Sequence, residues 1–163
     1  QPADIPEWFD STVQYADWHN AARYTSSGSQ SAFLQFYSSS HGYMYQSLGQ
    51  LEAGTTSLDW SFDQVRTATG AGGSADMRFF YGVSPSAGEG TDIDTLGFTQ
   101  IGGTNSIPTI SGSDTNRTGS LDVSSVSAGS TIWVDFTHTD GSFLLDNISV
   151  TATKAAGTVF VLE

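Results

Sequence analysis

From residue 32 onward no segment repeats its apolar residues at the 3.6-residue period of a helix. They alternate with period 2 in short runs, and the runs are broken by turn-forming clusters such as "TATGAGGSA", "SPSAGEGTD" and "SGSDTN". That spacing predicts strands at about 32–37, 42–48, 56–66, 76–84, 95–101, 117–123, 130–138 and 142–152. Asp140 and Gly141 supply the geometry of a tight hairpin between the last two. Only residues 7–24 leave room for a helical turn. The expectation is an all-β chain: an antiparallel β-sandwich of jelly-roll type, with two packed sheets, about eight to ten strands and Greek-key connections. At 163 residues it is read as a single domain. Residues 1–27 form a less regular N-terminal segment, 28–153 the core sandwich and 154–163 a C-terminal strand or tail.

Charge narrows the function. Five Lys and Arg face seventeen Asp and Glu, a formal charge of −12. Such a chain repels a phosphate backbone and an anionic membrane surface, which argues against nucleic acid as a partner. No stretch approaches the ~20 apolar residues of a membrane span, so no membrane insertion is expected. There is no cysteine, which excludes thiol catalysis and thiolate metal sites. Gln1 would suit the first residue of a mature secreted chain after leader removal.

Enzyme signatures are scarce. Nothing reads as a nucleophile elbow, a helical zinc pair or a phosphate loop. His19, His41 and His138 are scattered, and "DIDT" at 92–95 reads as a loop or strand start. Asp59 and Asp63, four apart on one strand, lie ~13 Å apart, beyond the 5–9.5 Å of a glycosidase pair. A cross-strand pair such as Asp59 with Asp135 stays open.

Two parities stand out. In "TIWVDF", Ile132, Val134 and Phe136 share the core face, which turns Trp133 to the other. Likewise Leu58, Trp60 and Phe62 turn Asp59, Ser61 and Asp63 outward, and Met77, Phe79, Tyr81 and Val83 turn Arg78 and Phe80 outward. Tyr43 and Tyr45 share a parity opposite Met44. Outward rings beside hydrogen-bonding groups suit sugars, whose C–H faces stack on aromatics while their hydroxyls need polar partners. The carbohydrate-binding candidates are therefore Trp133, Tyr43, Tyr45, Arg78 and Asp59; packing of Trp133 beneath a loop is the alternative.

Asp146 raises the opposite question, because it shares a parity with Leu144, Ile148 and Val150. An unpaired buried carboxylate is costly. Calcium, with Glu7 and Asp10 from the acidic N-terminal segment as further ligands, is one answer. A β-bulge that turns Asp146 outward, or capping of nearby amides, is the other.

The stretches "QSAFLQFYSSSHGYMYQSLGQLEAGTTSLDWSF" and "AGSTIWVDFTHTDGSFLLDNISVTA" resemble the galactose-binding-like jelly rolls that include carbohydrate-binding modules of bacterial secreted enzymes. The resemblance covers about residues 28–153. It implies non-catalytic binding of a polysaccharide or oligosaccharide, a secreted parent protein with a covalently linked catalytic domain, and one structural Ca2+ ligated by the closing-strand aspartate, here Asp146. The opening-strand pattern departs from this family at "EWFD". Two further readings remain: a structural or adhesive surface domain of an exported bacterial protein, and a small glycosidase or lyase.

Overall fold

A computed structural model describes residues 9–10, 32–35, 42–66, 71–88 and 91–155. The strands are β1 (Phe9–Asp10), β2 (Ala32–Gln35), β3 (Tyr43–Gln50), β4 (Thr55–Val65), β5 (Ala71–Gly72), β6 (Ser74–Tyr81), β7 (Thr99–Ile107), β8 (Ile110–Ser111), β9 (Thr115–Asp122), β10 (Thr131–Asp140) and β11 (Ser142–Lys154). Among the described residues a 3-10 turn, Ile93–Thr95, lies between β6 and β7. Glu7 and most of the N-terminal segment lie outside the described residues, as do 156–163.

Two sheets make the sandwich. One has the order β1-β3-β10-β6-β7, the other β2-β11-β4-β9, with β5 and β8 as a small separate ribbon. Every pairing is antiparallel. The chain changes sheet from β1 to β2, β2 to β3, β3 to β4, β4 to β6, β7 to β9, β9 to β10 and β10 to β11, so each sheet closes on strands distant in sequence. This is the expected all-β sandwich.

Alternation decides what each strand buries. Leu58, Trp60 and Phe62 of β4 face Val134 and Phe136 of β10 across the interior, and Phe62 meets Phe136 edge-on at 5.3 Å between ring centroids. Trp60 needs a neighbour without a side chain: a Cβ on Gly119, its partner on β9, would sit 2.3 Å from the indole Cζ2. The last hairpin turns at Gly141, whose φ of 67° lies in the left-handed region.

Three boundaries differ from expectation. β6 ends at Tyr81, and Val83, expected inside, is 81% exposed. The chain leaves the sheet at Gly82, where a Cβ would come 2.5 Å from the Phe98 ring. β7 begins at Thr99 and continues through Gly102 and Gly103 to Ile107, with a register irregularity between Met77 and Phe79 of its partner. The third difference is in β11, whose register shifts between Asp146 and Ser149. Leu145 pairs with inward Gln64 and Asp146 with outward Asp63, whereas beyond the shift Val150 pairs with inward Trp60. Asn147 takes the extra position with φ 52°. Asp146 therefore does not share a face with Ile148 and Val150: the bulge resets the alternation.

Candidate functional site

The outer face of the five-stranded sheet gathers most of the candidates. β10 contributes Trp133, Asp135 and Thr137, flanked by Tyr45 and Tyr43 of β3 on one side and by Phe80, Arg78 and Asp76 of β6 on the other. Asp135 pairs with both Tyr45 and Arg78, at the middle of the face.

Half of this face is covered. The described residues between β6 and β7, 82–88 and 91–98, fold back over it as a strap. Phe98 stacks on Trp133 at 5.3 Å, and Ile93, buried, joins Tyr45, Phe80 and Trp133 in a second small apolar cluster. Polar anchors fix the strap. The Trp133 indole N–H donates to Gly82 O at 2.9 Å, and Tyr45 Oη donates to Gly88 O while accepting from Gly88 N. The result leaves Trp133 only 7% exposed and Tyr45 fully buried. An indole on the outward side of a strand is explained by the strap that packs on it. In this arrangement neither ring offers its face to a ligand. Tyr43, half-buried and stacked on Tyr45 at 6.4 Å, lies at the other side of the face.

Arg78 bolts the strap to the sheet. Its Nε and one Nη2 proton donate to Asp135 Oδ2 at 2.9 and 2.7 Å, the second Nη2 proton to Thr137 Oγ1 at 3.2 Å, and Nη1 donates to both oxygens of Asp94 at 2.8 and 3.0 Å. Each of the three guanidinium nitrogens is thereby engaged. The plane lies over Phe80, 5.1 Å from its centroid.

Asp135 is wholly buried. Burial pushes its carboxyl up to about 6, against the opposing pull of Arg78 and of the hydrogen bond from Thr137. Its Oδ1 has no hydrogen-bond partner. Asp76, half-buried, accepts from Ser106 Oγ at 2.8 Å through Oδ1, and Asp94 stands 54% exposed.

Asp59 is elsewhere. It is exposed on β4, in the other sheet, where Thr153 Oγ1 donates to its Oδ2 at 2.9 Å. Hydrogen bonds from Ser120 and Thr153 hold its carboxyl below the usual carboxylate range. Asp59 and Asp135 thus face opposite sides of the sandwich, and the cross-strand glycosidase pair is not formed.

Asp146 sits half-buried beside the bulge. Its Oδ1 caps the Asn147 N–H at 2.8 Å, while its Oδ2 is buried without a hydrogen-bond partner. Its cross-strand neighbour Asp63 accepts from Asn116 and Asn147, which hold that carboxyl low. Asp146 Oδ2 suits a cation donor, but among the described residues no three acidic or histidine side chains converge on a metal-sized site. Asp10 belongs to β1 of the opposite sheet. His138 is structural in setting: buried, with Nε2 hydrogen-bonded to Gly141 O.

Sequence reasoning passed over Asp76, Asp94, Asp135 and Thr137 as members of this face. The parity that selected Trp133 and Arg78 also selects Asp135, Thr137 and Asp76. Nothing local marks Asp94, which reaches the face only through the strap.

No protein-family model matches the sequence, and no curated protein matches it. Solved structures do. A CBM4 module superposes with a TM-score of 0.52 at 12% identity, covering 90% of this chain and 86% of that one. The CBM22-1 xylan-binding domain from Paenibacillus barcinonensis Xyn10C gives 0.49 at 18% identity, covering 83% and 80%. CBM28, a carbohydrate-binding module specific for non-crystalline cellulose, gives 0.48 at 11%, covering 88% and 86%. At such identities the likeness is one of fold, and the CBM4 superposition carries it: the chain has the β-sandwich fold of a carbohydrate-binding module.

Proposed function

We propose that this chain binds a polysaccharide on the part of the outer face left open by the strap, and performs no chemistry on it. The observation that carries the reading is the company Tyr43 keeps. A half-buried aromatic ring shares a sheet face with Thr137, Asp76 and, across Arg78, the exposed Asp94. A ring for C–H faces next to polar groups for hydroxyls is the composition a sugar site requires. The fold likeness to a carbohydrate-binding module supports the same reading. Asp135 cannot serve as an acid or base on a ligand while buried beneath Arg78, which favours binding over turnover.

The reading extends to context: a secreted bacterial protein in which this sandwich is joined to a polysaccharide-acting catalytic domain, with a calcium ion on Asp146 as a stabilising element. Affinity electrophoresis against soluble polysaccharides tests the core of it. Retardation by at least one polymer, lost in Tyr43→Ala while the melting temperature holds, is the expected result. A chain retarded by none would be a structural or adhesive surface domain. That second reading draws on the covered aromatics: Trp133 and Tyr45 here stabilise the strap.

A further inference from the structure

One carboxylate oxygen holds, from below, the border between the covered and open halves of this face. Asp135 Oδ2 accepts from Arg78 Nε at 2.9 Å, from Arg78 Nη2 at 2.7 Å and from Thr137 Oγ1 at 3.1 Å, while Oδ1 has no hydrogen-bond partner. The two side chains it holds reach in different directions. Arg78 grips Asp94 of the strap through Nη1. Thr137 lies in the open half, across from Tyr43 of β3 and Asp76 of β6, and Asp76 is in turn across from Ser106 of β7. The Thr137 hydroxyl also accepts from Arg78 Nη2 at 3.2 Å. With its one proton given to Asp135, it turns an oxygen lone pair to this row. Hydrogen bonds to an ionised group are roughly twice as strong as neutral ones. The charge on Asp135 therefore fixes the Arg78 rotamer and the Thr137 hydroxyl before anything binds.

We infer that Asp135 is a positioning residue of the glycan site: it touches no sugar, and it sets affinity on the open half by holding Arg78 and Thr137 in the arrangement a glycan meets. The inference rests on the polysaccharide-binding reading above and adds how that site is regulated. Neutralising Asp135 leaves the same contacts without their charge, and Arg78 must then be ordered afresh when a sugar binds. Ordering one long side chain on binding weakens affinity about 2- to 10-fold. Acid performs this neutralisation. Burial pushes the Asp135 carboxyl up to about 6. Among the described residues, the titratable and charged groups around it are Arg78 and Asp76 of β6, Asp94 of the strap, and Tyr43 and Tyr45 of β3. Arg78 pulls the carboxyl down and Asp94 pushes it up. Ionised above that value and protonated below it, Asp135 fixes the site at neutral pH and loosens it in mild acid.

The test titrates the whole chain with cellohexaose, xylohexaose and mannohexaose, which carry no titratable group, by calorimetry from about pH 8 to about pH 5 at fixed ionic strength. Binding should weaken about 2- to 10-fold over that range, in a step centred near the Asp135 value. Asp135→Asn keeps an acceptor for Arg78 and Thr137 and never carries the charge. It should bind at every pH as weakly as the parent does in acid, a profile that mere loss of stability does not produce. Asp122→Asn, on the outer face of the other sheet, should keep the parent's profile. Thr137→Val should weaken binding at neutral pH and shrink the step, and Thr137→Ser, which returns the hydroxyl, should restore both; this pair decides the matter if Asp135→Asn does not fold. Where a neutral polymer from the electrophoretic screen binds and no hexaose does, its retardation is read over the same pH range. A flat parent profile, or a step of equal size in Asp135→Asn, overturns the inference and leaves polysaccharide binding intact. Failure of every hexaose and every polymer removes the underlying reading and this inference with it.

Discussion

Asp135→Asn should change how stability depends on pH, and the size of the change follows from the burial of this carboxylate. Its folded-state value of about 6 lies above the ordinary 3.8. Between those values the folded chain holds a proton that the unfolded chain releases, so this group's contribution to stability falls as pH rises from about 4 to about 6, then levels off. Roughly two pH units at ~1.36 kcal/mol each come to about 3 kcal/mol. The amide cannot titrate. The unfolding free energy of Asp135→Asn minus that of the parent should therefore climb by about 3 kcal/mol between pH 3.5 and 7, measured by urea titration at fixed ionic strength. The carboxylates of Asp59, Asp63 and Asp122, held low by hydrogen bonds, slope the other way in both proteins and cancel in the difference. A flat difference curve, or one that descends, would mean that Arg78 compensates the buried charge in full and that the desolvation argument is wrong.

Four other outcomes are expected. Arg78→Met leaves Asp135 buried without a cation and should cost about 3–5 kcal/mol at neutral pH; the loss should shrink on acidification and in the double variant with Asp135→Asn, both read by urea titration. Trp133→Ala removes the ring that the strap packs on and should lower stability by about 3–5 kcal/mol, seen as a lowered denaturation midpoint before any glycan is added. Gly119→Ala drives a methyl into the Trp60 indole and should cost about 1–3 kcal/mol, with an altered tryptophan fluorescence in the folded state. Calcium on Asp146, if bound, stabilises by mass action: a chelator should lower the melting temperature of the parent and leave Asp146→Asn unchanged, and an unmoved parent would remove the metal from the proposal.

How much of this was legible beforehand depends on how far each answer lies along the chain. The faces of β4 and β10 follow from alternation alone, because Leu58, Trp60, Phe62 and Ile132, Val134, Phe136 leave no other parity. Alternation fails in β11, where one residue in the left-handed region resets it. The only trace in the sequence is that this residue is Asn147, of a type that tolerates such a backbone. Parity also says that Asp59 and Arg78 point outward without saying from which sheet, and topology sends them to opposite sides. The cover over Trp133 comes from residues 35 to 51 positions away: Phe98, Ile93 and the backbone of Gly82. Apolar residues in "DIDTLGF" were the available hint that a loop had something to bury.

The strap divides one sheet face between two tasks, and the division makes them separable. Trp133, Tyr45 and Phe80 lie beneath it, where their rings contribute to folding as core residues do. Tyr43, Asp76 and Thr137 lie on the open side, and Arg78 stands at the boundary, holding Asp94 of the strap and Asp135 of the sheet with the same guanidinium. A bound glycan on the open side would therefore meet a wall fixed by Arg78. Substitutions under the strap should move stability with little selectivity among sugars, and those on the open side should move selectivity with little change in stability. Arg78 should move both. If Tyr43→Ala proved as destabilising as Trp133→Ala and equally without effect on every glycan, the face would be a second core throughout, and recognition would have to be sought on the outer face of the other sheet.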